Sequence, residues 1–202
     1  MQNISLLHRR PSRLSLLTAA SFLLSLVLLL WLPDHWVDRF NYQPAALRHG
    51  EWWRLLTANL LHTNHWHLLL NLAGLSLLWL LHGQHFNSNR YLLWLLLAGV
   101  LTNLLLLLTM PELDRMVGLS GALHAMVVLG ALADIRRKDR TGWLLLLLVL
   151  AKVGHEQLQG ADSQLADLIA AQVAVDAHLA GVVAAMLLFP AWYWRSKKKS
   201  TA

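Results

Sequence analysis

A serine opens one apolar segment of this chain, in Gly118-Leu119-Ser120-Gly121, and a histidine lies inside another, in Ala177-His178-Leu179-Ala180-Gly181. Hydrocarbon offers a hydroxyl or an imidazole no water, so such side chains within membrane spans face one another or a wet cavity, and they mark function. A serine hydroxyl is a weak nucleophile until a base takes its proton, and imidazole has a suitable pKa for the task. The pair suggests a serine hydrolase whose active site is sunk below the membrane surface. Ser120 begins a helix, where free backbone N–H groups and the positive dipole end can stabilise an oxyanion. His67 and Asn71 are spaced i,i+4, share one helical face, and can donate to the same oxyanion. No carboxylate has an obvious claim to orient His178. Asp176, two residues away, points elsewhere on a helix, so the residues read as a Ser/His dyad. His124 lies i+4 from Ser120 and either competes as the base or supports the ring of His178 from beneath. A base on another helix approaches the hydroxyl from the substrate side, which favours His178.

Positioning these groups requires a membrane protein. The 202 residues are 56% hydrophobic and 14% charged, with no cysteine, and the mean hydropathy is +0.46. A soluble domain carries closer to about 25% charged residues. Without cysteine there is no disulfide framework, no thiolate nucleophile and no cysteine zinc site. The formal net charge of +6 is segregated into short segments, which argues against a nucleic-acid surface. The first apolar run lacks a small-residue cleavage site and is long enough to span, so it is not read as a cleaved signal.

Six runs are candidates to cross a bilayer core of about 30 Å: Leu14–Leu32, Trp66–Leu81, Tyr91–Thr109, Leu119–Ala133, Trp143–Leu158 and Leu168–Trp192. The second, fourth and fifth are short for the task, and polar residues near their ends favour burial among neighbours. The expected fold is therefore all-α, a six-span bundle in one domain over 1–202. It comprises a basic segment 1–13, a core 14–192 with an interfacial loop 33–65, and a basic tail 193–202. Trp36, Tyr42, Trp52 and Trp53 suit that loop to the membrane interface.

Lysine and arginine set the orientation. Arg9, Arg10 and Arg13, then Arg136, Arg137, Lys138 and Arg140, then Arg195, Lys197, Lys198 and Lys199 all fall on one side if both termini are cytoplasmic. Asp34, Asp38, Glu51, Glu112, Asp114, Asp162 and Asp167 fall on the other. In this topology Ser120 lies fourteen residues before Asp134 and His178 fourteen before Trp192. Both then sit ~21 Å above the inner face at 1.5 Å per residue, roughly 10 Å below the outer one. His67 and Asn71 bracket the same level. Ala177, Gly181 and Ala185 form a small-xxx-small row, and Gly121, Ala122 and Ala125 keep the serine helix slim, so the two helices can approach closely.

Other polar clusters admit two readings each. Lys152 and Glu156 are i,i+4 and reach the active-site depth; they are either a structural charge pair or, with His155, substrate contacts at a gate. His62, His65 and His67 invite a metal, but they straddle a loop-to-helix junction without an acidic ligand nearby, and neither metal nor cofactor is expected. His62 and His65 fit the wet mouth of the cavity. Trp31, Trp79, Trp94, Trp143, Trp192 and Trp194 lie near span ends and read as an interfacial belt.

Together Trp53-Arg54, His67-xxx-Asn71, Gly118-x-Ser120-Gly121 and Ala177-His178-x-x-Gly181 resemble, in order and across the membrane core, the rhomboid family of intramembrane serine proteases. The resemblance implies hydrolysis of a peptide bond in or beside a substrate's transmembrane segment. It makes Ser120 the nucleophile, His178 the general base and acid, and His67, Asn71 and the Ser120 N–H the oxyanion hole. It places Trp53-Arg54 in a structured interfacial loop and the fifth span beside a lateral entry for substrate. Two positions depart from the usual pattern: Ala185 stands at the second glycine after His178, and His124 stands where many rhomboids carry tyrosine. Gly-Leu-Ser-Gly-Ala-Leu-His within a minimal six-span body is similar to the rhombosortase subfamily. That implies a bacterial inner-membrane enzyme opening toward the periplasm, acting on proteins that end in Gly-Gly, an apolar helix and a basic cluster. The competing classes are a catalytically silent rhomboid-like binder, disfavoured by the presence of both Ser120 and His178, and a small transporter or metal-handling protein, disfavoured by the lack of inverted repeats.

Overall fold

In hydrocarbon a backbone must satisfy its own N–H and C=O groups, so uninterrupted leucine-rich runs become helices. The computed structural model describes residues 13–86, 88–113 and 115–198; Arg9, Arg10, Asp114 and Lys199 lie outside the described residues. The elements are α1 (Arg13–Leu28, continued by a 3-10 turn Leu29–Trp31), α2 (Asp34–Phe40), α3 (Pro44–Arg48), α4 (Arg54–Thr57) and α5 (His65–His82, followed by a 3-10 turn Gly83–His85). They continue with α6 (Ser88–Thr109), α7 (Ser120–Arg136), α8 (Thr141–Gln159), α9 (Ser163–Ile169) and α10 (Val175–Lys198). Among the described residues no strand forms; the only sheet-like feature is an isolated bridge between Tyr42 and Met116.

Among the described residues three segments are long and apolar enough to cross a membrane by themselves: His65–His85, Arg90–Thr109 and Val175–Arg195, with Leu16–Trp31 a shorter apolar helix. Of the two remaining long helices, α8 is interrupted by Lys152, His155 and Glu156 and, against expectation, buries only four of its 19 residues, whereas α7 is enclosed. Eleven of the 17 residues of α7 are buried, because α5, α6, α8 and α10 all pack around it. A helix wrapped by protein needs no lipid-matched length. The outward faces of α1, α5, α6, α8 and α10 carry exposed leucines, among them Leu24, Leu80, Leu97, Leu147 and Leu187. Apolar surface on this scale belongs in lipid.

The sixth expected span, Leu168–Trp192, is corrected. Ala170 takes a left-handed conformation with φ of 52° and ends α9, and α10 begins only at Val175. The carbonyls of Leu168 and Ile169 are taken by Asn64 Nδ2 and the Thr63 hydroxyl, which fastens the break over the start of α5. His178 therefore lies in the first turn of α10. The tryptophan belt also needs revision: Trp31, Trp143 and Trp194 are exposed, but Trp94 and Trp192 are buried in the core.

One end of the bundle gathers the basic turn. Arg136 lies over Tyr193 and Trp192, joining the last turns of α7 and α10. His82 and His85 close on the two oxygens of Asp134, tying the end of α5 to α7; the ring of His82 packs on Gly130, where a Cβ would overlap it. With α5, α7 and α10 ending here and α6 and α8 starting here, the first turns of α5, α7 and α10 meet the last turns of α6 and α8 at the opposite end.

The segment between α1 and α5 is a packed structure. Arg54, 5% exposed, donates from Nη1 to the carbonyls of Asp38 (2.7 Å) and Asn41 (2.9 Å) and to Asn41 Oδ1 (2.9 Å), and from Nε to Glu51 Oε2 (2.7 Å). Trp53 Nε1 donates to the Arg39 carbonyl, and the Thr57 hydroxyl to that of Phe40. Tyr42 is fully buried, and burial pushes its phenol up to about 12, so it stays protonated. Asn103 of α6 donates to the Leu55 carbonyl, and the Gly118 N–H to that of Ala58, which carries the loop's order to the start of α7. Arg54→Ala leaves four acceptors without their donor, the two on Asn41 buried; a loss of roughly 3 kcal/mol is expected in reversible unfolding in detergent, with Arg54→Lys recovering less than half.

Candidate active site

Close helix crossing comes first. A Cβ on Gly181 would run into the Gly121 carbonyl, and one on Gly121 would lie 3.0 Å from the Ala177 carbonyl and 2.9 Å from Thr102 Cγ2. Only glycine at both positions lets α7 and α10 touch backbone to backbone. Gly118 has φ of 125°, and a Cβ there would lie 2.7 Å from His67 Nε2 and Cε1. This glycine thus serves both the turn into α7 and the seating of His67.

The crossing sets Ser120 Oγ 3.1 Å from His178 Nε2. Ser120 is the first residue of α7, where the leading N–H groups have no intrahelical acceptor. His178 is 4% exposed. His124 stacks on it with ring centroids 4.0 Å apart and planes 21° from parallel. His124 Nδ1 is 2.8 Å from the Ser120 carbonyl, and its Nε2 is 3.0 Å from Lys152 Nζ. An ammonium only donates, so His124 Nε2 accepts and Nδ1–H donates to the carbonyl. Both nitrogens of His124 are thereby occupied away from the serine hydroxyl.

The expectation that no carboxylate reaches His178 is corrected by the geometry. Glu156 Oε2 lies 2.9 Å from His178 Nδ1, and Glu156 Oε1 accepts from Lys152 Nζ at 2.8 Å. Spacing along one helix cannot show this contact, because it joins α8 to α10. The carboxylate turns inward, 8% exposed, while the Lys152 side chain is 48% exposed. With Nδ1–H donating to Glu156, the lone pair of Nε2 faces the serine hydroxyl. His155 is exposed on α8, and with Lys152, Glu156 and Asp162 it lines a recess of about 490 Å³ toward α9.

His67 and Asn71 are buried on α5. His67 Nδ1 faces Thr63, whose hydroxyl is 3.1 Å away and whose N–H is 3.4 Å away. Asn71 Nδ2 donates to the His67 carbonyl at 3.0 Å. Neither side chain is hydrogen-bonded to Ser120; the nearest approach shown is His67 Nε2 over Gly118. His62 packs edge-on to His67 with centroids 5.0 Å apart. Burial and then the neighbouring His67 push His62 down to about 3, which keeps it neutral. His65 is exposed beside Trp66. Among the described residues the closest approach to a metal-ligand set is His124, Glu156 and His178, whose ligand atoms lie within 4.8 Å of one another; the cation at their centre is the Lys152 ammonium.

A polytopic helical membrane protein with a serine and a histidine in hydrogen-bond contact between two tightly crossed helices defines the class. A rhomboid domain model matches residues 49–195, and the chain belongs to the rhomboid family. It is similar to "Putative rhomboid protease YdcA" of Bacillus subtilis (strain 168), with 32% identity over 114 residues, which is 52% of this chain and 57% of that protein. The chain thus spans little more than half the length of the relative it matches.

Proposed function

We propose that this protein is an intramembrane serine endopeptidase. The observation that carries the reading is the 3.1 Å contact between Ser120 Oγ and His178 Nε2, made across two helices of a bundle whose outer surface is leucine. His178 Nε2 takes the hydroxyl proton as Oγ attacks the scissile carbonyl. The developing oxyanion is met by the Ser120 N–H and by His67 and Asn71. The imidazolium then returns its proton to the leaving amine, and water repeats the cycle to release the acyl enzyme. His67 Nε2 lies over Gly118, two residues before the serine, which supports this role. As an Nε2–H donor it requires Nδ1 to accept from the Thr63 N–H at 3.4 Å, because the Thr63 hydroxyl gives its proton to the Ile169 carbonyl.

The substrate is a membrane-anchored protein, cut in or next to its transmembrane segment. It enters beside α8, where Lys152 and His155 line the recess toward α9. The rhombosortase-like features, His124 beneath the catalytic ring and a minimal body, favour C-terminal signals of Gly-Gly, an apolar helix and a basic cluster. Six spans with both termini cytoplasmic put the site near the periplasmic face of a bacterial inner membrane. The gathering of the Arg136 turn and the end of α10 at one end of the bundle supports that orientation. The test is labelling of the full chain in detergent by a fluorophosphonate probe. Wild type is expected to label and Ser120→Ala to label not at all. Labelling that survives loss of Ser120 rejects the reading. Intact-mass analysis of a Gly-Gly-tailed membrane peptide after incubation separates hydrolysis from transfer to an amine, since only the first adds water to the cut end.

A further inference from the structure

Resting on the protease reading, we propose that Glu156 is the third member of the catalytic chain and that Lys152 is the resident cation that locks Glu156 and His124 around His178. The three groups that converge on the ammonium belong to three helices: Glu156 Oε1 of α8 at 2.8 Å, His124 Nε2 of α7 at 3.0 Å and His178 Nδ1 of α10 at 3.3 Å. Glu156 Oε1 and His124 Nε2 accept from the ammonium, and His178 Nδ1, whose proton goes to Glu156 Oε2, lies beside it without accepting. The arrangement solves two problems at once. Glu156 selects the tautomer of His178 by accepting its Nδ1–H, so that Nε2 is the base; the Nδ1 proton stays on the ring while the serine proton moves to Nε2. Lys152 offsets the charge of the carboxylate that orients the imidazole.

The groups facing His178 are few. They are Lys152 and Glu156 from α8, His124 from α7 and His67 from α5, with Asp176 on its own helix; α6 carries its arginine, Arg90, at its opposite end. His124 donates to the Ser120 carbonyl and accepts from Lys152, so it is neutral. The charges within hydrogen-bond reach of His178 are therefore one anion and one cation, and removing them separately has opposite consequences. Glu156 and Lys152 are positioning residues: each acts on Ser120 only through His178.

The experiment measures the rate of fluorophosphonate labelling of Ser120 against pH for the full chain in detergent. Glu156→Gln keeps the ammonium beside His178 and removes the anion. Its plateau rate is expected to fall about 10²–10⁴-fold, and its acid limb to move down by about one pH unit. Lys152→Met leaves the anion unopposed, and its acid limb is expected to move up by about one pH unit. Limbs displaced in the same direction, or unmoved while both plateaus fall with the yield of folded protein, overturn the proposal in favour of a structural brace. If Glu156→Gln does not fold, Lys152→Met decides alone, because its side chain is half exposed: an upward shift supports the lock and a fixed limb rejects it. Failure of the protease reading itself has a different signature, labelling that persists in Ser120→Ala.

Discussion

Alanine at His178 is expected to lower the rate of substrate cleavage by about 10⁴–10⁶-fold, as loss of one member of a catalytic unit does elsewhere. Tyrosine at His124 is expected to cost far less, on the order of tenfold. The asymmetry follows from where each imidazole spends its nitrogens. His178 Nε2 is 3.1 Å from the nucleophile, whereas both nitrogens of His124 are committed to the Ser120 carbonyl and to Lys152. His124 thus cannot take the serine proton and acts on the site mainly as the surface on which His178 stacks, and a phenol ring supplies a surface of similar extent. A cleavage assay in proteoliposomes checks both variants at equal amounts of folded protein. The reverse order of activities would make His124 the base and end the assignment of His178.

The same geometry limits how far the chemistry was legible in the chain itself. Ser120 and His178 stood out because a hydroxyl and an imidazole in apolar runs are costly. Their meeting could be read from Gly121 and Gly181, since small residues announce where helices touch. The level of His67 followed from counting along helices. Contacts that cross between helices were not legible in the same way. Glu156 gave one signal, an i,i+4 pairing with Lys152 at the right depth, and that pairing described its neighbour on α8 but concealed its partner on α10. The break at Ala170 was hidden because alanine is a strong helix former; what stops α9 is the capture of its last carbonyls by Thr63 and Asn64, more than a hundred residues earlier. Trp94 and Trp192 sit near span ends like their exposed counterparts, and only packing against Phe86 and Phe189 separates Trp192 from an interfacial anchor. The burial of the short fourth span was readable, but the fifth, α8, buries only four of its 19 residues, and the central place of α7 needed all four of its neighbours.

Glycine-to-alanine replacements in two helices should have opposite signs, and the contrast tests whether helix crossing builds the site. At Gly181 a methyl group would overlap the Gly121 carbonyl and lie 3.3 Å from the Ala125 nitrogen. These are backbone atoms of α7, which cannot swing aside as a side chain does. Relief requires α10 to withdraw, and His178, one turn earlier, withdraws with it. Gly181→Ala is expected to lose about 1–3 kcal/mol of stability and most of the fluorophosphonate labelling, because a contact of 3.1 Å does not survive a shift comparable to a methyl radius. Gly181→Leu is expected to yield no folded protein. At Gly154 in α8, a Cβ meets nothing within 4 Å, so alanine brings only its better helix propensity. Gly154→Ala should raise stability by about 1 kcal/mol with labelling unchanged. Unfolding in mixed detergent, scored beside labelling rate, reads both variants. Equal tolerance at the two positions would show that α7 and α10 do not depend on backbone contact to hold Ser120 against His178, and would remove the physical basis for placing the nucleophile and its base together.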